Sequence, residues 1–479
     1  MSLKFIHCAD LHLDSPMRGL GTTDPVIAEK IREASRQAFR RLVDVAIEEN
    51  VAFVVVAGDL FDGDWDDLAT GLWTIRELRR LEARRIPVFI SLGNHDLQNK
   101  TLPKLTWPKN VKIFNAKKPE TFLYPDALPQ LLDGAPPKRA RKPAARPTAN
   151  LANTLFGDLS ETATSSLFGE ALERVALTGQ SFRAQFCPEN LAENFPTATP
   201  NAFNIGVLHT DVGGDGAASR YAPTSLETLN SKRYDYWALG HVHRRQTLQT
   251  APAWVGYSGV LQGRHIREPE PKGFYVVEIE NGALLGEPRF VAADSLRWFA
   301  LELDLTQIVS EKELRRHFQD AARAVVDEAE ERFAAVRLTL VGRTELHREL
   351  TQSRACQTLG DTFRVWALEL GDALWLEEIE LKTTSPRPAT LGETGILGDL
   401  AADFERKIAE LSARLAASES SQTTTAQDVE DADQPFADLE KRVGAYWRDL
   451  GINLDDPATL RRWREEAREI LIDAFNDAE

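Results

Sequence analysis

The chain has 479 residues and a net charge of -16, with 43% hydrophobic and 27% charged residues. That length exceeds what one hydrophobic core usually supports, so two or three folded units are expected in an ordinary globular protein. No apolar run is long enough to span a bilayer, the start MSLKFIHCADLHLD lacks the charged-then-apolar build of a signal peptide, and the acidic balance argues against a protein that merely coats nucleic acid. The acidity is uneven: residues 396–479 hold 20 Asp/Glu against 10 Lys/Arg, so the front of the chain can still present a surface to a polyanion. Cys8, Cys187 and Cys356 are far apart and show no ligand spacing, which reads as reduced thiols in a cytoplasmic protein.

In chain order, Leu3–Cys8, Phe53–Ala57 and Pro87–Leu92 read as buried strands of a largely parallel sheet. Asp24-Pro25 starts a helix between the first two, its apolar face carried by Ile27, Ile31, Ala34, Phe39, Leu42 and Ala46. This β-α-β-α-β order implies an α/β fold with sites at the carboxyl ends of its strands. Residues 134–172, with the tract PPKRARKPAARP, read as a disordered insertion whose five basic residues form either a solvated loop or a DNA contact. Strands resume at Val175–Thr178, Ile205–His209, Tyr236–Leu239 and Phe274–Ile279. From Trp298 a small α+β unit is expected: a strand through Leu301, Leu303 and Leu305, a helix capped by Ser310 with Glu313, and strands at Val336–Val341, Trp366–Leu370 and Leu374–Leu381. Residues 383–394 and 417–434 read as linkers around amphipathic helices, one of them carrying Leu397, Leu400, Phe404, Ile408, Leu411 and Leu415 at three/four spacing.

Five segments follow apolar runs and so can meet at one rim of the sheet: Asp10-Leu-His12, Gly58-Asp59-Leu-Phe-Asp62, Gly93-Asn94-His95-Asp96, Leu208-His209-Thr210 and Gly240-His241-Val-His243. Each alone is weak, since a D-x-H triplet is common by chance and GNHD suits a turn. Together, in this order, they hold five of the nine histidines, with a sixth, His7, just beside the first segment. Carboxylate, amide and imidazole ligands without thiolate suit borderline divalent ions such as Mn²⁺. Seven such ligands are too many for one ion, and a carboxylate bridging two ions is the economical arrangement for displacement at phosphorus.

The series D-x-H, GD-x-x-D, GNHD, H and GH-x-H resembles the calcineurin-like metallophosphoesterase superfamily, and within it the DNA-repair exonuclease branch of SbcD and YhaO-like nucleases. The stretch Tyr257-Ser-Gly-Val-Leu-Gln-Gly-Arg-His-Ile-Arg267 followed by Pro271-Lys-Gly273 is also similar to the YhaO-like group. Asp14 stands where many nucleases of the branch have Gly. The resemblance implies a metallophosphoesterase β-sandwich flanked by helices over residues 1–285, a small α+β capping domain at 290–385 and a helical C-terminal region at 395–479 that binds a partner. It implies one ion on Asp10, His12, Asp59 and His243, a second on Asp59, Asn94, His209 and His241, and His95 as proton donor oriented by Asp62. It further implies a DNA substrate, an SMC-like (SbcC-like) coiled-coil ATPase as partner and a homodimer. His7 is either a partner of a ligand or a satisfied histidine at a strand end. The metal motifs leave open another phosphoester, such as a phosphoprotein, cyclic nucleotide or nucleotide-sugar.

Overall fold

The computed structural model describes residues 2–15, 25–62, 68–99, 102–128, 132, 174–213, 221–351 and 353–384. The segment expected to be an insertion at 134–172, the linkers expected beyond 384 and the helical region at 395–479 lie outside the described residues.

Strands β1 (Leu3–Cys8) and β2 (Phe53–Ala57) are buried along their length apart from Lys4, so both of their faces must be covered. They pair in parallel with each other, and β2 continues in parallel to β3 (Val88–Ser91) and β3 to β4 (Val111–Ile113). Helices α1 (Pro25–Glu48) and α2 (Ala69–Ala83) make the crossovers. The second sheet begins with β5 (Glu120–Tyr124), β6 (Val175–Gln180), β7 (Phe203–His209), the short helix α3 (Leu226–Ser231), β8 (Tyr236–Gly240), β9 (Gln246–Gln249) and β10 (Trp254–Tyr257). Its order is β5-β6-β7-β8-β10-β9, parallel from β6 to β10 with antiparallel edges. The chain then returns to the first sheet, where β11 (Gly273–Glu280) pairs antiparallel with β1 and carries β12 (Ala283–Leu284) and β13 (Arg289–Ala292).

Strand alternation divides the core into three layers. Phe5, Phe53, Val55 and Phe89 of the first sheet meet Leu177, Ile205, Val207 and Tyr236 of the second. Ile6, Val54, Val56 and Ile90 point the other way, beneath Phe39, Leu42 and Ala46 of α1 and Ile75 and Leu78 of α2. On the far side Leu208, Trp237 and Leu239 pack with Leu229 of α3 and Phe195. Each buried large apolar side chain contributes about 1.5–3 kcal/mol. The result is a β-sandwich flanked by helices. Ile31 and Ala34 of α1 also share a cluster with Leu296, Trp298 and Ala335.

Past residue 292 come β14 (Leu296–Asp304), α4 (Glu311–Glu328), β15 (Phe333–Arg343), α5 (His347–Thr351), α6 (Ser353–Leu368) and β16 (Leu374–Thr384), with the three strands ordered β14-β15-β16. The described residues divide into two compact units. Met1–Leu301, Gln319–Leu338 and Phe363–Ile379 make the first, and Glu302–Phe318, Thr339–Thr362 and the described residues from Glu380 on make the second. Ser310 Oγ accepts from the Glu313 amide at 3.4 Å, while Glu313 Oε2 reaches the Val309 amide at 3.2 Å, a cap displaced by one residue from the expected box. The strand expected at Trp366–Leu370 is instead the end of α6. Phe363, Trp366 and Ala367 are buried at helical spacing and Leu368 faces out, so the apparent alternation was the residue of a 3.6 period. Among the described residues no helix is long and apolar enough to cross a membrane.

His7 links the two sheets. Its ring is fully buried, with Nδ1 2.9 Å from Tyr236 Oη and Nε2 3.2 Å from Leu239 O. The carbonyl can only accept, so Nε2 carries the proton and Nδ1 accepts from the tyrosine. Burial lowers its pKa from 6.5 to about 3, so the unfolded chain binds one more proton between those values. Stability from His7 is therefore complete above pH 6.5 and lost as pH falls toward 3. Urea unfolding of metal-free protein should show the loss between pH 7 and pH 5 shrinking by about 2 kcal/mol in His7→Leu. Overall stability should fall by about 2–4 kcal/mol, because Tyr236 and Leu239 lose their partner.

Candidate metal centre

Parallel strands of each sheet end at one rim, and the five segments occupy the turns there. The turn after β1 lies along the turn after β2: the Asp10 amide donates to Gly58 O (2.9 Å), His12 to Asp59 O (3.0 Å) and Leu13 to Leu60 O (3.1 Å). To put their side chains into the same space, Asp10, His12, Asp59 and His241 adopt φ values of 51°, 42°, 51° and 105°. Such backbone costs of order 1–3 kcal/mol per residue and persists where its surroundings enforce it. Two glycines mark the closest approaches. A Cβ on Gly58, itself at φ 98°, would lie 2.1 Å from His209 Nδ1, and one on Gly93 would lie 2.3 Å from Asp59 Oδ1.

The ligand atoms converge without donors between them. His209 Nδ1 lies 3.0 Å from Ala57 O, which assigns the proton to Nδ1 and leaves Nε2 as a lone pair. That Nε2 faces Asn94 Oδ1 at 3.0 Å and Asp59 Oδ2 at 3.4 Å. His243 Nδ1 is 2.7 Å from Glu268 Oε1, so its Nε2 is also a lone pair, 3.2 Å from His12 Nε2. His12 Nε2 is in turn 3.9 Å from the same Asp59 Oδ2, and His12 Nδ1 is buried with no hydrogen-bond partner. Three sets of atoms have metal-holding proximity: Asp10, His12 and His243; Asp10, Asp59 and His209; and His12, Asp62 and His95. The His241 ring belongs to none of them. It stands 5.2 Å, centroid to centroid, from His209 and 4.7 Å from Tyr221, while its amide donates to both oxygens of Asp10 at 3.1 and 3.0 Å.

The electrostatics favour cations here. Burial raises Asp10 to about 6, and burial with the charges of Asp96 and Asp10 raises Asp59 well above its usual range. Burial lowers His12 to about 3, His241 to about 4, and His209 well below 6.5. Without a cation, the centre therefore holds neutral imidazoles and resists ionisation of its two carboxyls. Two divalent ions fit these residues, because facing lone pairs and a carboxylate common to both sides would otherwise repel one another.

His95 is a third exposed, and its Nδ1 sits 2.6 Å from Asp62 Oδ1. The other Asp62 oxygen accepts from Ser15 Oγ and from Arg264 NH1 at 3.0 Å. Although burial opposes it, the proximity of His12, whose Nδ1 lies 3.7 Å from Oδ1, and hydrogen bonds from His95 and Ser15 hold Asp62 well below the usual carboxylate range. Asp62 is thus an ionised acceptor for the His95 Nδ1 proton, which leaves Nε2 as the working nitrogen.

Several residues escaped sequence reasoning. Glu268, buried and lowered to about 2 by His243 and Arg264 despite its desolvation, fixes the His243 tautomer. Arg264 lay inside the Tyr257–Arg267 stretch but carried no assigned role. Asp96 ties two turns together by accepting from the amides of Phe61 (2.9 Å) and Gly93 (3.0 Å). Asp14 has φ 55°, a conformation that Gly adopts freely, and its carboxylate instead anchors Arg36 and Thr70.

Residues 3–245 match the family described as calcineurin-like phosphoesterase, and residues 298–384 match the middle domain of metallophosphoesterase YhaO. The chain is 32% identical over 305 residues to metallophosphoesterase YhaO of Bacillus subtilis, covering 64% of each protein. It is 24% identical to the SbcD subunit of the SbcCD nuclease of Staphylococcus epidermidis (65% of this chain, 75% of that one). It is also 24% identical to the DNA double-strand break repair protein Mre11 of Sulfurisphaera tokodaii (57% and 59%). The chain thus spans just under two thirds of the length of its Bacillus relative.

Because protons and metal compete for Asp10 and Asp59, affinity for a divalent ion should weaken as pH falls through the raised pKa values. Calorimetric titration with Mn²⁺ should give a Kd at least about tenfold weaker at pH 5.5 than at pH 7.5. Equal affinity at both would mean that the carboxylates are already ionised in the empty centre.

Proposed function

Because the chain belongs to the calcineurin-like phosphoesterase family, we propose that this hydrolase is a two-metal phosphodiesterase of DNA, an exonuclease of DNA repair. The observation that carries the reading is the position of Asp59 Oδ2 between two sets of ligands, 3.9 Å from His12 Nε2 and 3.4 Å from His209 Nε2, with the Asp62–His95 pair alongside. The DNA substrate is supported by the similarity to an SbcD nuclease and to an Mre11.

On this reading Asp10, His12, Asp59 and His243 hold one ion, and Asp59, Asn94, His209 and His241 hold the other, with Mn²⁺ the preferred ion. Bound there, the ions supply Lewis acidity at phosphorus and lower the pKa of water toward about 7. The protein's own part is positional. Glu268 and the Ala57 carbonyl set the tautomers of His243 and His209 so that both offer Nε2. The His241 amide fixes the Asp10 carboxylate. Asp62 holds the His95 ring so that it delivers a proton to the departing sugar oxygen. Residues 1–285 act as the nuclease domain and 290–385 as a capping domain of this cytoplasmic enzyme. The 395–479 region docks an SMC-like, SbcC-like ATPase, and the nuclease works as a homodimer.

Metal-dependent hydrolysis of linear duplex DNA, compared with p-nitrophenyl esters, tests the substrate class. Release of nucleotides from DNA in Mn²⁺, abolished by chelation and poorly restored by Mg²⁺, is expected. Hydrolysis of the small esters alone would move the reading to another phosphoester. His95→Asn should keep two bound metals and lose turnover by two or more decades, roughly the effect of a missing general acid. Asp59→Asn should lose metal as well as activity, as read by elemental analysis of the purified variants. A chain ending near Thr383 should keep nuclease activity and no longer copurify with the ATPase.

A further inference from the structure

Arg264 has more donors than the described residues can use. Only its NH1 nitrogen is committed, to Asp62 Oδ2 at 3.0 Å, with Ser15 Oγ at 3.5 Å. Its Nε is buried and finds no acceptor. Its NH2 nitrogen is 3.2 Å from His243 Nδ1, but that ring nitrogen already gives its proton to Glu268 at 2.7 Å and has no lone pair to offer. The Nε/NH2 edge of the guanidinium, two parallel N–H vectors suited to an oxyanion, is therefore unmet among the described residues.

The surroundings make that shortage informative. The Arg264 side chain is only 17% exposed, and leaving buried donors unpaired is costly. Its backbone is locked, the Arg264 amide donating to Glu268 Oε2 at 2.8 Å and the neighbouring Gly263 carbonyl accepting from Trp298 Nε1 at 3.1 Å. Asp62 holds His95 on one oxygen and Arg264 on the other, so one carboxylate fixes the spacing between a proton donor and a cationic fork.

We propose that Arg264 binds the phosphate of the substrate, its NH2 side donating to a non-bridging oxygen while Asp62 keeps it in register with His95. The proposal rests on phosphoester hydrolysis as the reaction and not on DNA as the particular substrate. The charge and the fork are both needed: the phosphate gathers negative charge on these oxygens during displacement, and a fixed guanidinium meets it without reorganisation.

The test uses the full-length, metal-loaded enzyme, with bis-p-nitrophenyl phosphate as substrate and inorganic phosphate as the binding probe. Arg264→Gln should keep both metals, weaken phosphate binding in calorimetry by at least about tenfold, and lower kcat/KM by about 100-fold, the order expected for one lost oxyanion donor. Arg264→Lys keeps a charge beside Asp62 but has no second donor edge, so it should recover less than a tenth of that loss. Unchanged phosphate affinity in both variants would overturn the proposal and leave Arg264 as the ion-pair partner of Asp62 alone, and full recovery by lysine would overturn it by showing that a bare positive charge suffices. A wild-type enzyme that hydrolyses no phosphoester would instead defeat the proposed function, and the phosphate titration would still report on Arg264.

Discussion

The Asp59 carboxyl is withdrawn from water, and two of its neighbours, Asp96 and Asp10, carry charge of the same sign. Among its own backbone contacts one amide, that of His95, donates to it at 2.9 Å. A carboxyl so poorly compensated resists ionisation by itself and becomes a good place for a cation from outside the polypeptide. Much of the architecture near the rim brings together groups that could hold one. The first sheet brings Asp10, His12, Asp59 and Asn94, the second brings His209, His241 and His243, and two of the three candidate sets draw on both sheets. The facing of the two sheets thus serves the candidate centre as well as the core.

Geometry at the rim is obtained by strain held in place by packing. Asp10, His12 and Asp59 take left-handed backbone, yet each sits two to four residues past a strand buried on both faces. The strands cannot slip, because a one-residue shift would exchange the two faces of a core that includes Phe5 and Phe53 on one side and Ile6 and Val54 on the other. Rigid strands therefore enforce turns that the same residues would avoid in a free peptide.

Much of this was legible in the sequence for identifiable reasons. Asp10, Asp59, Asn94, His209 and His241 each follow an apolar run, and a run buried on both faces announces where its strand stops. Glu268 and Arg264 left no such trace. They come from an irregular stretch after β10 and meet His243 only because the chain folds back over it, which no spacing encodes. Asp96 was visible inside GNHD, but its service to the Phe61 and Gly93 amides depends on two turns lying side by side. The edge strands β4, β5, β9, β12 and β13 are short and only partly buried, so their apolar pattern is too weak to register. At Trp366–Leu370 a two-residue alternation concealed a helix whose register shows only once Phe363 is counted with Trp366 and Ala367.

Trp298 does more than fill space against Ile31 and Ala34 of α1. Its indole holds the Gly263 carbonyl, and Gln262 beside it donates to Leu296 O at 2.6 Å and accepts from the Ser295 amide at 2.9 Å. The loop bearing Arg264 and Glu268 is thereby riveted to the start of β14, outside the 3–245 span that matches the phosphoesterase family. A recombination event or protease cut between residues 285 and 295 would spare every metal-ligand candidate and still unmoor the partner of His243. The turns that hold the candidate ligands and the start of β14 are thus joined through one loop.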